Sequence, residues 1–326
     1  MIRHTLLAAL TGLSLLAAAP AAAQTDFPTR PIRIIVPQPA GAGIDIHARL
    51  IALKMTAIFG QPGVVENRPG ANAIIGVDAV AKAAPDGYTL VYAPVSSVTT
   101  NGFIYKKLPY DTLRDFAPIT QTVSNPLALV ANPASGPKSI KDMVDQAKAN
   151  PGKLNYGSFG IGNLTHLQGV LLSLAADIKM THVPYRGQTP EITDIVAGQI
   201  AMGFTTTAGV TDLVESKKLT LLATFGDKRD EQFPNTPTPT EAGYPNVVVV
   251  GWAGMLAPAG TPPQIVKRLH EGIVRILAMP DVKDAIFRQG SKAVTSKSPE
   301  DFRNYIKAEM EKFYPVIKAA GLENTQ

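Results

Sequence analysis

The chain has 326 residues, 17% of them charged, a formal net charge of +5 and no cysteine. The absence of cysteine excludes disulfides, thiolate metal sites and a cysteine nucleophile. The charge is small for this length and no basic run carries interleaved aromatic residues, so the composition gives no sign of a nucleic-acid partner. A chain of this size buries a sufficient core without cross-links and is typical of two domains.

Residues 1–23 have the pattern of a secretory signal peptide. Arg3 and His4 precede an apolar segment at positions 6–19, and the alanines at 21–23 supply the small residues of a cleavage site. The apolar segment is shorter than the roughly 20 residues that a membrane-spanning helix needs. We therefore expect cleavage after Ala23 and export of the mature chain; an uncleaved N-terminal anchor is the alternative.

After the signal, short apolar runs alternate with helix signals. The runs lie at 32–36, 88–92, 127–130, 219–224 and 247–250. Helix N-termini are predicted where a hydroxyl residue is followed three positions later by an acid or an amide. These pairs are Ser139 with Asp142, Thr261 with Gln264, and Ser298 with Asp301. An apolar stripe between positions 302 and 317 predicts an amphipathic last helix. The alternation predicts an α/β fold with largely parallel sheets.

Two segments, 32–55 and 154–174, share one plan: an apolar run, a glycine-rich loop and a helix start. Such a loop leaves backbone N–H groups unpaired at a helix N-terminus, where free donors and the helix partial charge favour an anion. One loop in each half of the chain predicts a cleft with two walls. Because the sequence shows no obvious nucleophile and no set of metal ligands, such a cleft indicates ligand binding and not catalysis.

The enzyme signatures in this sequence are incomplete. Ser158, His166 and Asp194 are the residue types of a hydrolytic triad, but Tyr156 stands where a nucleophile elbow needs glycine. Both glycine loops lack the third glycine of a dinucleotide fingerprint, and the histidines lack metal-ligand spacing. We therefore expect no catalytic residue, no metal and no cofactor. An exported hydrolase is the least favoured alternative.

Eight short stretches, taken together and in order, carry a resemblance to a known family. They are RPIRIIVP, GQPGVVENRPGA, AKAAPDGYTL, YKKLPYD, NPGKLNYGS, HVPYRG, PTPTEAGYP and WAGMLAPAGTPP. Any one of them is nonspecific, but the full series behind a signal peptide is specific. The chain resembles the periplasmic receptors of tripartite tricarboxylate transporters, the Bug family of solute receptors, over essentially its whole mature length.

This resemblance implies the α/β fold of the type II periplasmic binding proteins, with two Rossmann-like lobes and a ligand cleft between them. It implies one domain from residues 24–125 plus 251–326 and a second from 126–250. The implied function is capture of a small carboxylate in the periplasm and its delivery to membrane permease subunits. A receptor that presents its ligand to a sensor kinase is the alternative. We expect a monomer with no nucleic-acid partner.

The resemblance also implies which residues line the two walls of the cleft. The first wall has Pro39, Ala40, Gly41, Ala42 and Asp45, with Ser96 and Ser97 nearby. The second wall has Ser158, Gly160, Gly162, Asn163, Thr165 and His166, followed by Tyr185, Arg186 and Gly187. Phe204 and Thr205 are expected to close the floor. Simpler roles are solvent exposure for Arg186, holding its own loop or helix for Asp45, and structural packing for His166.

Departures from the family pattern concern the ligand. Gln38, Ala40 and Ala42 replace an aromatic residue, a proline and a glycine in the first loop. Val170 and Thr205 stand where the family commonly carries Glu and Asp. Because two acids that suit an ammonium group are absent, we expect a simple carboxylic acid, aromatic or dicarboxylic, in preference to an amino acid.

Overall fold

A computed structural model describes residues 26–207, 209–226, 228–245, 247 and 249–326. The predicted signal peptide and its cleavage site lie outside the described residues, as does part of the predicted strand at 247–250. Within those ranges, no helix combines the length and the apolar character needed to cross a membrane.

The strands and helices alternate along most of the chain. The strands are β1 (Ile32–Val36), β2 (Gly63–Asn67), β3 (Thr89–Pro94), β4 (Phe116–Ala131), β5 (Asn155–Ser158), β6 (Thr181–Pro184), β7 (Met202–Thr206), β8 (Thr220–Phe225), β9 (Val250–Pro258) and β10 (Lys292–Ala293). The helices are α1 (Gly43–Phe59), α2 (Ile74–Ala81), α3 (Val95–Val98), α4 (Asn101–Ile104), α5 (Thr112–Asp115), α6 (Ile140–Ala149), α7 (Leu164–Ala176), α8 (Gln188–Val196), α9 (Thr211–Glu215), α10 (Pro263–Ala278), α11 (Pro280–Arg288) and α12 (Pro299–Ala319).

The strands pair in the order β2-β1-β3-β9-β4-β7-β5-β6, and β8 and β10 also pair with β4. Pairing is parallel between β1 and its neighbours β2 and β3, and between β5 and its neighbours β6 and β7. The prediction of parallel strands is therefore confirmed for the outer parts of the fold. It is wrong at the centre, where β4 and β9 run antiparallel to their neighbours.

Strand β4 belongs to both lobes. Its residues 116–126 pair with β9, whereas residues 127–131 pair with β7 and β8. The chain returns between β8 and β9, so two crossings join the lobes. This arrangement confirms the two-lobed α/β fold. The division into residues 24–125 plus 251–326 and residues 126–250 is a proposal that this change of pairing supports.

Two of the three predicted helix caps are confirmed. The hydroxyls of Ser139 and Ser298 accept hydrogen bonds from the backbone N–H groups of Asp142 and Asp301, each at 3.0 Å. The third is wrong, since the Thr261 hydroxyl donates to the carbonyl of Pro258 instead and α10 begins without a side-chain cap.

Helix α12 fixes a tryptophan at the junction of the lobes. The ring of Phe302 lies 5.6 Å from that of Trp252 on β9, in an edge-on arrangement. The Trp252 indole N–H donates to Glu309 at 3.1 Å, and Lys312 approaches the same carboxylate at 3.4 Å. The predicted amphipathic last helix is confirmed, and its buried face holds Trp252 in one orientation.

Candidate functional site

A small cavity of about 30 Å³ lies between the two lobes. A volume of this size holds about two water molecules. Its lining comes from both lobes and from the crossing strand, and the side chains of the described residues that form it carry no charge. These residues are Gln38, Ile44, Pro94, Val95, Ser96, Asn125, Leu127, Phe159, Asn163, Leu164, Thr165, Gln188, Thr206, Gly251 and Trp252.

Three helices of more than two turns begin at this cavity, beside the short helix α3. Ile44 lies in the first turn of α1, Leu164 is the first residue of α7, and Gln188 is the first residue of α8. Each N-terminus carries a partial positive charge and backbone N–H groups directed out of the helix. Their convergence makes the cavity suited to an anion even though no basic side chain lines it.

The first loop is held by Asp45, which is buried. The Asp45 carboxylate accepts hydrogen bonds from the backbone of Gly41 at 2.9 Å, from Arg49 at 3.0 Å and from Asn67 at 2.9 Å. Burial raises the pKa of Asp45, but these hydrogen bonds outweigh it and the net pKa lies below its usual value. Asp45 therefore stays ionised and keeps the loop in place, which is one of the simpler roles expected for it.

The expectation that the loop amides are unpaired is wrong in this structure, because the protein supplies its own acceptors. The backbone N–H of Gly43 donates to the side-chain oxygen of Gln188 at 2.9 Å, across the two lobes. The N–H of Leu164 donates to the hydroxyl of Ser96 at 3.1 Å, also across the lobes. These acceptors occupy the positions at α1 and α7 where the sequence predicts ligand oxygens.

Further contacts show that the lobes are closed on each other. The Asn72 side chain donates to the carbonyl of Ile161 at 3.3 Å and accepts from Asn163 at 2.9 Å. The Thr100 hydroxyl donates to the carbonyl of Gly162 at 3.1 Å. Asn72 lies between two alanines, and all three residues have positive φ. This backbone is uncommon for residues other than glycine, so its appearance at the lobe interface points to a local requirement.

The predicted site residues divide into groups by the cavity that they line. Ser96, Asn163 and Thr165 line the cavity. Pro39, Gly160, Tyr185 and Arg186 line a wider cleft of about 700 Å³ at the mouth, where Arg186 is exposed. Gly187 lines a smaller cavity next to this cleft, and Gly41 lines a groove beside α8. The remainder line none of these cavities. They are Ala40, Ala42, Asp45, Ser97, Ser158, Gly162, His166, Phe204 and Thr205.

Phe204 does not form the floor of the cavity. It lies on the same face of β7 as Thr206 but deeper, where Tyr156 and Phe225 cover its ring at centroid distances of 5.3 and 5.8 Å. Asn125, Gly251 and Trp252 form the floor instead. No local pattern in the sequence predicts them, since they come together only where β4 and β9 cross between lobes.

The residues considered for a hydrolytic triad do not assemble into one. Ser158 contacts Nε2 of His182 at 2.6 Å, while the Nδ1 atom of His166 accepts from the backbone of Gly162 at 2.9 Å. Asp194 accepts a hydrogen bond from the hydroxyl of Tyr185 at 2.8 Å. No carboxylate among the described residues therefore orients either histidine.

The two histidine rings stack, with their centroids 3.8 Å apart. Burial lowers the pKa of His166 to about 4, and burial together with the neighbouring His166 lowers that of His182 to about 3. Both rings are therefore neutral at neutral pH, and neutral His166 keeps the acceptor that holds the Gly162 loop.

Acidification is expected to weaken the fold through these rings. Between pH 6.5 and 4, His166 binds a proton in the unfolded chain but not in the folded one, so the free energy of unfolding falls as the pH is lowered. The slope is at most about 1.4 kcal/mol per pH unit for this group. Urea unfolding at pH 5 and pH 7 measures it. His166→Asn keeps an acceptor and cannot titrate, so its stability should depend less on pH; an equal dependence would contradict the assignment.

The two lobes and the uncharged cavity at three helix N-termini define the class of two-lobed solute-binding proteins. Residues 47–322 match the family described as the tripartite tricarboxylate transporter family receptor, and the chain belongs to that family. Among its relatives, protein BugT of Bordetella pertussis is 35% identical over 305 residues, covering 93% of each chain. Members of this family are periplasmic solute-binding proteins and not enzymes.

Solved structures share the fold over nearly the whole chain. The periplasmic binding protein BugD is 32% identical with a TM-score of 0.87, covering 91% of this chain and 99% of that one. Rpa4515 of R. palustris with adipate is 29% identical with a TM-score of 0.87, covering 90% and 98%. MatC of Rhodopseudomonas palustris with bound malate is 28% identical with a TM-score of 0.84, covering 89% and 100%.

Proposed function

We propose that this protein captures a small organic carboxylate in the cavity between its lobes and delivers it to the membrane permease of a tripartite tricarboxylate transporter. The observation that carries the proposal is the convergence of α1, α7 and α8, N-terminus first, on a cavity without charged side chains. The adipate and malate in the related structures support a carboxylate. Membership of the transporter-receptor family supports delivery to a permease.

The lining of the cavity favours an acid that has no amino group. An ammonium group that leaves water needs a carboxylate or several acceptors as partners. None of the described residues that line the cavity is Asp or Glu. Asp45 is near but already accepts three hydrogen bonds and keeps its loop in place. Carboxylates without an amino group should therefore bind better than aspartate or glutamate.

The closed cavity is too small for such a ligand, so capture requires the lobes to open. A volume of about 30 Å³ holds waters, whereas a dicarboxylate of several heavy atoms needs several times as much. Hinge closure around a ligand is an established motion of two-lobed receptors. The lobes would rotate about the two crossing segments beside Pro126 and Val250.

A thermal-unfolding screen of the mature chain tests the ligand class. Adipate, succinate, malate and benzoate would be compared with aspartate and glutamate. A ligand at 100 times its dissociation constant adds about 2.7 kcal/mol to the free energy of unfolding, which gives a clear shift in melting temperature. Stabilisation by the amino acids alone would overturn the ligand class, and stabilisation by none of the six would overturn carboxylate capture.

Delivery to a permease needs a separate experiment. Vesicles that contain the permease subunits would be supplied with a labelled carboxylate, with and without the purified receptor. Uptake should depend on the receptor. Uptake at the same rate without it would contradict this part of the proposal.

Mass spectrometry of the exported chain would test cleavage after Ala23.

A further inference from the structure

Asn125 occupies a special place in the crossing strand. It is paired with Gly251 of β9, one residue before β4 reaches Pro126 and changes sheets. Its side chain is 3% exposed and lines the floor of the cavity. The helix N-termini lie on the walls of the cavity. Asn125 therefore contacts one part of a bound ligand, and the helix N-termini contact another.

The side-chain oxygen of Asn125 has no hydrogen-bond partner among the described residues. Buried amide oxygens are nearly always paired, because leaving one without a donor costs free energy. Trp252 is the neighbouring donor on the floor, but its indole N–H already donates to Glu309. The Asn125 side chain lines the cavity, so its unpaired oxygen is an acceptor that a molecule from outside the chain can satisfy once the lobes part.

The remaining floor is apolar or small. Leu127 and Trp252 supply apolar surface, and Gly251 leaves room because a side chain there would approach the backbone oxygen of Asn125 at 3.0 Å. None of the described residues that line the cavity is a cation, so a second carboxylate directed at this floor would find no charged partner. A hydroxyl group directed there would donate to that oxygen.

We infer that Asn125 is a specificity-determining residue that recognises a hydroxyl group on the ligand, so that hydroxy-carboxylates are preferred to the same acids without the hydroxyl. This inference rests on the proposed capture of a carboxylate in the cavity. The walls bind the carboxylate group that all these ligands share. Asn125 then discriminates among them by the presence of a hydroxyl group.

Matched ligands that differ by one hydroxyl group test this role. The pairs are malate with succinate, and 4-hydroxybenzoate with benzoate, each measured by calorimetry on the mature protein. The hydroxylated member of at least one pair should bind about tenfold more tightly, which is the effect expected of one neutral hydrogen bond in a buried site. In Asn125→Leu, which keeps the volume and removes the amide, the two members should bind within about twofold of each other.

Thr224→Val is the control variant. The Thr224 hydroxyl is also buried without a partner among the residues that the structure describes, but it lies on β8 and does not line the cavity. This variant should keep the preference for the hydroxyl. Thermal unfolding without ligand shows whether each variant folds.

The outcomes separate the two proposals. If succinate and benzoate bind the native protein as tightly as their hydroxylated partners, the role of Asn125 is wrong while carboxylate capture stands. The role is also wrong if Asn125→Leu keeps the preference. If none of these four acids binds but adipate does, the role of Asn125 is wrong while carboxylate capture stands. If adipate also fails to bind, capture itself fails and the role of Asn125 fails with it.

Discussion

Gly162→Ala is expected to stop the lobes from closing and to weaken carboxylate binding by roughly 10- to 100-fold. Gly162 has φ +71° and lies in the second-lobe loop before α7. A Cβ there would overlap Cδ1 of Ile104 in the first lobe and lie 3.0 Å from its Cγ2. Ile104 is fully buried, so it cannot move aside without repacking. Calorimetry with the best ligand from the screen measures the loss, and small-angle scattering reports the more open shape.

Gly152→Ala provides the matched control. Gly152 has a similar φ of +78° and lies in the same lobe, but nothing is within 4 Å of the Cβ position. Both variants carry the strain of alanine in a left-handed backbone, about 1–2 kcal/mol. Only Gly162→Ala also places an atom between the lobes. Native affinity in Gly162→Ala, or an equal loss of affinity in both variants, would contradict the proposed overlap with Ile104.

Glu191→Met is expected to raise the free energy of unfolding at pH 8. Glu191 on α8 is fully buried against Gly157 and Gly203, and neither carboxyl oxygen has a hydrogen-bond partner in the described parts of the chain. Burial raises its pKa well above the ordinary value of 4.5. Above pH 4.5, folding must therefore either bury the charged carboxylate or take up a proton that the unfolded chain has lost, and both reduce stability.

The sign of the pH dependence distinguishes this effect of Glu191 from that of the buried histidines. Below pH 4.5 the carboxyl is protonated in both states, and above it the folded chain holds the extra proton, so stability falls as the pH rises. The slope is at most about 1.4 kcal/mol per pH unit. The histidines of the unfolded chain still lose protons just above pH 6.5, but they contribute equally to the native and the variant chain, so the difference between the two chains isolates Glu191. Urea unfolding at pH 6.5 and 8 should show a smaller decrease for Glu191→Met than for the native chain.

Glu309→Met serves as the control for Glu191→Met. The Glu309 carboxylate has partners, since Trp252 donates to it and Lys312 lies beside it. Its removal should destabilise the protein by about 1–3 kcal/mol, because a buried donor is left unpaired. Destabilisation of both variants to the same extent would contradict the conclusion that Glu191 is a buried acid without a partner.

The sequence predicted the fold well where patterns are local. The cap at Ser298 and the apolar stripe of α12 depend on residues three or four positions apart, and both are confirmed. The predicted run at 127–130 is only the end of β4, which begins at Phe116. Its earlier part includes Pro118, Gln121 and Ser124, whose composition does not indicate a strand. Pairing with β9, far away in sequence, makes that part a strand.

In the candidate site, too, local features could be predicted from the sequence and contacts between distant residues could not. Glycine loops and helix starts are local features, and they led to the segments beside the cavity; the ligand contacts of their residues stay a prediction. Sequence could not show that Gln188 and Ser96 approach the amides of the opposite wall, since closure of the lobes creates those contacts. The residues of the floor were missed for the same reason. Asn125 follows Ser124 in a polar stretch that looks like a linker, and only the crossing of two strands makes it part of a cavity.

The occupied amides of α1 and α7 change how affinity should be understood. A ligand entering between the lobes exchanges partners, because its oxygens replace those of Gln188 and Ser96 at donors that were never empty. The heat of association then measures the difference between two sets of bonds, and much of it cancels. Discrimination among acids then depends on contacts that the chain does not already make for itself, namely those with the apolar floor and with the side-chain oxygen of Asn125.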